Sequence, residues 1–364
     1  MRPYKFIISG GGTGGHIYPA IAIANALKQR FPDAVFLFVG AKDRMEMEKV
    51  PQAGYPIRGL WISGFQRGQW IKNLLIPFKL LSSFFTAFRL LRSFRPDVAI
   101  GTGGYASAPL LRMASLIGVP SLIQEQNGYA GVTNTLLGRH VQTICVAYDR
   151  MDRFFPAKKL VLTGNPVRRD LVGQLPERAK ALDYFDLKHL TGKVLLVLGG
   201  SLGARRINEF VASRLAYFAR QDLTLIWQCG PAYFEANKSL SGPGLVIVPF
   251  IQDMAMAYAA ADVVISRSGA LSVSELCLVG KPVIFVPSPN VAEDHQTKNA
   301  QALASKEAAI MIAETDLERT FDTVFASLFN DPQQQKALSE AIKACARPEA
   351  TEAIVTEIQK LINR

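Results

Sequence analysis

Two glycine-rich runs and a few isolated polar residues are the parts of this 364-residue chain whose types and spacing suit chemistry. Gly10 to His16 reads GGGTGGH and Gly199 to Ala204 reads GGSLGA, each after an apolar run and before a helical pattern. A strand, a glycine turn and a helix N-terminus present backbone N–H groups and a positive dipole end, which suits a phosphate or diphosphate. Glycines there also let a helix pack close to a strand, and the first loop admits both uses. Its spacing contains a dinucleotide fingerprint, yet VFLFVG runs into Ala41 and Lys42 with Asp43 the nearest acid, which disfavours nicotinamide cofactors. Ser201 in the second loop offers a hydroxyl to a phosphate, and Gln296 and Asn299 are neutral amides suited to sugar hydroxyls. Asn299 serves equally well as a helix cap or an exposed residue. Of four histidines, His16 ends the first loop, where a general base or a helix-capping ring would stand. His140 and His189 read as surface residues, and His295 receives no chemical role.

The elements that position these residues follow from hydrophobic period. KFIIS, VFLFV, VAIGT, PSLIQ and KLVLTG alternate with helical patterns that begin at about Pro19 and at Ser107. The order then restarts with VLLVLGG, a helix from about Arg205, and LTLIWQ, LVIVPF, DVVIS, PVIFV and AAIMI. Alternation of this kind predicts α/β architecture with parallel strands and helical crossovers. We expect two doubly wound, Rossmann-like domains, residues 1–165 and 166–340, with a final amphipathic helix in 341–364 that packs back on the first. Ligands bind beyond the carboxyl ends of parallel strands, so both glycine loops are expected on one cleft between the domains.

Composition narrows the partners. The net charge of +11 calls for an anionic partner, and from Lys49 to Pro96 there is no acidic residue while eight are basic: Lys49, Arg58, Arg67, Lys72, Lys79, Arg89, Arg92 and Arg95. Within 61–94, Ile71, Leu74, Leu75, Phe78, Leu81, Phe85 and Phe88 follow helical spacing with basic residues between them. Lys72, Pro77, Lys79 and Arg89 interrupt the run, so it falls short of the roughly 20 apolar residues of a membrane span. It reads as an interfacial contact with an anionic membrane surface, or as a core helix with a solvated basic face. Nucleic acid is disfavoured, because no reading motif accompanies the charge. Cys145, Cys229, Cys277 and Cys345 are far apart and form no C-x-x-C pair, which fits a reducing cytoplasm and neither a zinc site nor a disulfide framework. The N-terminus shows no signal-peptide pattern.

Several blocks taken together resemble the MurG-type transferases of cell-wall synthesis: GGTGGHIYPA at Gly11, GTGGYASAP at Gly101, EQNGYAGVTN at Glu125, GNPVR at Gly164, GGSLGA at Gly199, SRSGALSVSE at Ser266 and DHQTKNA at Asp294. They occur in the family's order and span nearly the whole chain. The resemblance implies the B-type glycosyltransferase fold and inverting transfer of N-acetylglucosamine from UDP-N-acetylglucosamine to undecaprenyl-diphospho-muramoyl-pentapeptide. It implies a peripheral enzyme on the cytoplasmic face of the plasma membrane, with cell-wall assembly proteins as further partners. It implies no metal or other cofactor, and the chain has no DxD-like pair to hold a metal against a diphosphate. By the same resemblance, Glu275, otherwise a solvated helix residue, accepts the ribose hydroxyls, and Ala270, Leu271, Ser272, Val273 and Ser274 wrap phosphates and ribose. Ile251 meets the uracil through its backbone, Gln296 reads the donor sugar, and Arg168 offsets leaving-group charge. Thr13, Gly14, Gly15 and Asn127 contact substrate, His16 acts as base, and Glu125 is the reserve base. The chain departs from the family at Gln124, where many relatives have histidine. A transferase acting on diacylglycerol-type lipids, a UDP-sugar epimerase and a non-catalytic membrane partner are the alternatives; the GGTGGHIYPA and EQNG blocks disfavour the first two, and the retention of His16 and Glu275 the third.

Overall fold

The computed structural model describes residues 2–64, 74–189, 192–291 and 294–363. Its contacts divide the chain into two compact units, Met1–Val167 with Glu349–Arg364, and Arg168–Pro348. The breaks therefore fall two residues beyond the expected boundary at 165 and eight beyond that at 340. The second shift has a packing cause. The helix Pro332–Ala344 buries Ile342 in the core of the second unit, whereas the helix Ala350–Ile362 buries Ile354, Val355, Ile358 and Leu361 among Ile17, Ala20 and Ala24 of the first. Each such side chain contributes about 1.5–3 kcal/mol on burial, which ties the terminal helix to the first unit.

The first unit is built on a parallel sheet of β1 (Lys5–Gly10), β2 (Val35–Ala41), β3 (Ile57–Leu60), β4 (Val98–Gly103), β5 (Ser121–Glu125), β6 (Thr143–Val146) and β7 (Leu160–Leu162). Its order is β3-β2-β1-β4-β5-β6-β7. Strands such as β1 and β4 are buried on both faces, which is why they read as continuous apolar runs rather than alternating ones. The order reverses between β1 and β4, and the first glycine loop leaves the sheet at that switch point, the usual place for a ligand in such sheets. The helix that follows is Gly14–Arg30, beginning five residues before the expected Pro19, which lies buried inside it. Proline ordinarily marks a first turn, so it misplaced the boundary here.

The second unit repeats this plan with β8 (Lys193–Leu198), β9 (Leu223–Gln228), β10 (Leu245–Val248), β11 (Val263–Ser266), β12 (Val283–Phe285) and β13 (Ile310–Met311), in the order β10-β9-β8-β11-β12-β13, all parallel. Its switch point lies between β8 and β11, where the second glycine loop begins.

The helix Ile76–Phe94 turns only a narrow stripe inward: Ser83, Ala87 and Leu91. Phe78, Leu81 and Phe85 are 66%, 71% and 62% exposed, with Leu74, Leu75 and Phe88 also exposed. The reading of this run as an ordinary core helix fails for those six residues. Arg67, Ile71 and Lys72 lie outside the described residues. No helix among the described residues is long and apolar enough to cross a membrane.

Candidate functional site

In the first unit, chemistry gathers at the ends of β1, β4 and β5. The first loop must be glycine in places: a Cβ on Gly10 would stand 2.0 Å from Thr102 Oγ1, and Gly12 has φ +85°. Buried Glu46 reaches into the loop, its carboxylate accepting from Gly12 N–H and Ala41 N–H at 2.9 Å each. One donor of this supposed phosphate cradle is thus already occupied by the protein's own anion. Thr13 is the extended residue preceding the helix, with no side-chain cap, and Gly14 and Gly15 form its first turn.

His16 does not cap that helix with its ring. The imidazole Nδ1 stands 3.0 Å from Gln126 Oε1, and the residue's carbonyl accepts from Thr102 Oγ1 at 2.7 Å. Gly103, at φ +108°, lies against the ring, and a Cβ there would come within 2.8 Å of Cε1 and Nδ1. The half-buried imidazole is thereby held at the switch point of the sheet.

Glu125 is 1% exposed, and its two oxygens accept from Asn127 N–H and Nδ2, Gly131 N–H and Asn134 Nδ2 at 2.9 to 3.3 Å. Four donors, three from its own loop and one from Asn134 in the helix Val132–Gly138, use the carboxylate fully, so the reserve-base expectation does not suit this residue; its place is that of a clasp for the loop bearing Asn127. Gln124 donates through Nε2 to Asn165 Oδ1 at 2.9 Å and to the Glu125 carbonyl, a role histidine could fill only in part.

The second unit carries a cleft of about 550 Å³ at the ends of β8, β11, β12 and β13, lined by Gly199, Gly203, Arg205, Arg267, Gln296 and Glu314 among others. Ser201 sits half-buried in the same glycine loop. Gln228 holds the loop from behind: its Nε2 donates to the Gly200 carbonyl at 3.0 Å, and its Oε1 accepts from Ile251 N–H at 2.9 Å. Ile251 therefore has its backbone N–H committed and its side chain in the core, which leaves the carbonyl for any contact with a base. Gln296 accepts from Ser288 N–H at 2.9 Å through Oε1 and lines the cleft. Asn299 does not reach it; fully buried, it donates to the Ser268 carbonyl at 3.2 Å.

The helix Ala270–Val279 starts directly after β11 with Gly269 as its cap residue. Leu271, Ser272 and Val273 belong to its first turn, while Ser274 turns its hydroxyl back to the Ala270 carbonyl at 3.0 Å. First-turn N–H groups and the dipole favour an anion at this end. Glu275, half-buried, accepts from the fully buried Tyr258 hydroxyl at 3.1 Å. Burial pushes the Glu275 carboxyl up to about 7, against the pull of Arg168 and the Tyr258 bond. Arg168 is itself engaged, its Nε and a terminal nitrogen donating to the two oxygens of Asp170 at 3.0 and 2.9 Å. Among the described residues no group of three acidic, histidine or cysteine side chains is placed to hold a metal ion.

Sequence reasoning missed Glu46, Gln228 and Tyr258, which lie outside every motif and act through partners distant in the chain, and Asp170, which pairs with Arg168 two residues before it. Gln126 sat in plain view beside Asn127, but only its neighbours in space reveal its part.

Residues 6–146 match the glycosyltransferase family 28 N-terminal domain and residues 194–354 the family's C-terminal domain. Over 363 residues, all of this chain and 99% of the relative, it is 57% identical to the UDP-N-acetylglucosamine–N-acetylmuramyl-(pentapeptide) pyrophosphoryl-undecaprenol N-acetylglucosamine transferase of Flavobacterium psychrophilum. The chain belongs to the MurG-type branch of glycosyltransferase family 28. The crystal structure of Acinetobacter baumannii MurG superposes with a TM-score of 0.78 at 31% identity, covering 98% of this chain and 100% of that one. A UDP-GlcNAc 2-epimerase from Neisseria meningitidis, at 13% identity and a TM-score of 0.65 over 99% of this chain and all of its own, shares the MurG-type fold alone.

Proposed function

We propose that the chain transfers N-acetylglucosamine from UDP-N-acetylglucosamine to undecaprenyl-diphospho-N-acetylmuramoyl-pentapeptide, converting lipid I to lipid II with inversion and a β-1,4 linkage. The observation that carries this reading is identity of more than half the residues, over the full length of both chains, with a relative named for that donor and acceptor. In the step itself, the acceptor hydroxyl gives its proton to His16 Nε2 as its oxygen bonds to the anomeric carbon, and the bond from that carbon to the diphosphate breaks to release UDP. Glu275 accepts the ribose hydroxyls. The first turn of the helix Ala270–Val279 and the Ser201 loop offset charge on the diphosphate, with Arg168 adding to the field while bound to Asp170. Gln296 reads the sugar, and the Ile251 carbonyl the uracil. Thr13, Gly14, Gly15 and Asn127 face the acceptor, their loops held by Glu46 and Glu125. Radiolabelled sugar is expected to pass from UDP-N-acetylglucosamine to a short-chain lipid-linked muramyl-pentapeptide with chelator present. No transfer, with UDP still bound, would redirect the search to another acceptor.

The exposed stripe Phe78, Leu81, Phe85 and Phe88, with Lys79, Arg89 and Arg92 beside it, suits the surface of an anionic membrane, where the acceptor's lipid tail resides. Apolar side chains enter the acyl boundary, and each nearby cation adds about 1 kcal/mol. The double substitution Leu81→Asp, Phe85→Asp is expected to weaken flotation with phosphatidylglycerol vesicles about tenfold or more while leaving the melting temperature unchanged, since both side chains are already in solvent. Undiminished flotation would refute the surface.

A further inference from the structure

The hydrogen bonds around His16 determine which of its nitrogens holds the proton, through amides anchored on backbone carbonyls. A carbonyl can only accept, so the Gln126 side-chain atom 2.8 Å from the Thr102 carbonyl and 3.0 Å from the Gln124 carbonyl must be the NH2 group. The same group donates to Gln124 Oε1. That oxygen is itself oriented, because Gln124 Nε2 donates to the Glu125 carbonyl at 3.2 Å and to Asn165 Oδ1 at 2.9 Å, while Asn165 Nδ2 donates to the Gln126 carbonyl at 3.0 Å. Gln124, Gln126 and Asn165 are all buried, at 0, 1 and 3% exposure, so flipping any amide would set like groups against each other out of reach of water. Gln126 Oε1 is consequently fixed as the acceptor that faces His16 Nδ1.

From this we infer that Gln126 is a positioning residue, which holds neutral His16 as the Nδ1–H tautomer and so leaves the basic lone pair on Nε2. The catalytic meaning rests on the reading of His16 as the general base proposed above; the tautomer itself does not. An imidazole with the proton on Nε2 would point a donor, not an acceptor, at the hydroxyl to be deprotonated. Gly103 lies against the ring, and a flip of the imidazole would put Cδ2 in place of Nδ1 and lose the bond to Gln126. The run from Gln124 to Asn127 thereby acquires two separate tasks. Glu125 closes the loop, and Gln126, with Gln124 behind it, sets the proton.

The test is long-range 1H–15N correlation on full-length protein labelled at its four histidines, with His16→Gln identifying the His16 signals. Wild-type His16, in its neutral form, is expected with Nδ1 protonated and Nε2 bare. Gln126→Leu is expected to move the population toward Nε2–H and to lower kcat about tenfold to a hundredfold, the range typical of outer partners that orient an imidazole, with KM for UDP-N-acetylglucosamine unchanged. A wild-type Nε2–H form overturns the inference without recourse to any variant, which matters because Gln126→Leu removes the donor to the buried Thr102 carbonyl and to Gln124 Oε1 and costs stability. A folded Gln126→Leu protein that keeps Nδ1–H overturns it as well. A changed tautomer with unchanged kcat would uphold the positioning and refute His16 as the base.

Discussion

Replacing His16 by alanine is expected to lower kcat by about two to four orders of magnitude, the range in which a positioned general base accelerates proton transfer. Donor affinity should hold, since the groups proposed to grip UDP-N-acetylglucosamine belong to the second unit. The ring is half-buried at the switch point of the first sheet, one nitrogen is engaged by Gln126, and the glycine at 103 leaves room for it alone. Single-turnover transfer to the short-chain acceptor at saturating donor isolates the chemical step. Equal single-turnover rates in wild type and variant would remove His16 from the mechanism. Because the Glu125 carboxylate is filled by four donors from its own loop and the helix that follows, Glu125→Gln should instead disturb that loop and the binding of the acceptor.

Glu275→Gln is expected to weaken UDP-N-acetylglucosamine binding by roughly a hundredfold, the loss of about 3 kcal/mol that follows when two charge-assisted hydrogen bonds become neutral or unmade. Acidity supplies an independent reading. Burial raises the carboxyl to about 7, with Arg168 and the Tyr258 hydroxyl only partly opposing it. The ionised carboxylate is the stronger acceptor for both ribose hydroxyls, so donor affinity should fall as pH drops below about 7 and level off above it. The dependence should vanish in Glu275→Gln. Calorimetric titration with the intact nucleotide sugar between pH 5.5 and 8.5 measures both, and a wild-type Kd flat across that range would remove Glu275 from donor binding. Stability carries the opposite sign. A carboxyl whose folded pKa is raised takes up its proton more readily in the folded state, so its destabilising contribution is greatest above about 7 and is relieved as pH falls toward the ordinary value of 4.5.

Much of this protein was decided locally. Apolar runs spaced by helical patterns determined two parallel α/β units, because strands buried on both faces have no other composition open to them. The glycine turns marked the switch points, since only glycine tolerates φ +85° at Gly12 or the approach of Thr102 to Gly10. Basic and apolar residues interleaved from Lys79 to Arg92 announced an unusual surface, though not which way it faced. What only the tertiary structure decided concerns partners far apart in the chain. Gln126 meets His16 across 110 positions and Tyr258 meets Glu275 across 17, and no periodicity encodes such pairs. Glu125 looked like a reserve base in the sequence because a carboxylate's lone pairs are invisible there; the fold shows them spent on Asn127, Gly131 and Asn134. The terminal helix followed the same rule. Its amphipathic spacing was plain, but the core that receives Ile354 and Ile358 is assembled from residues more than 200 positions earlier, and burial energy rather than sequence order assigned it to the first unit.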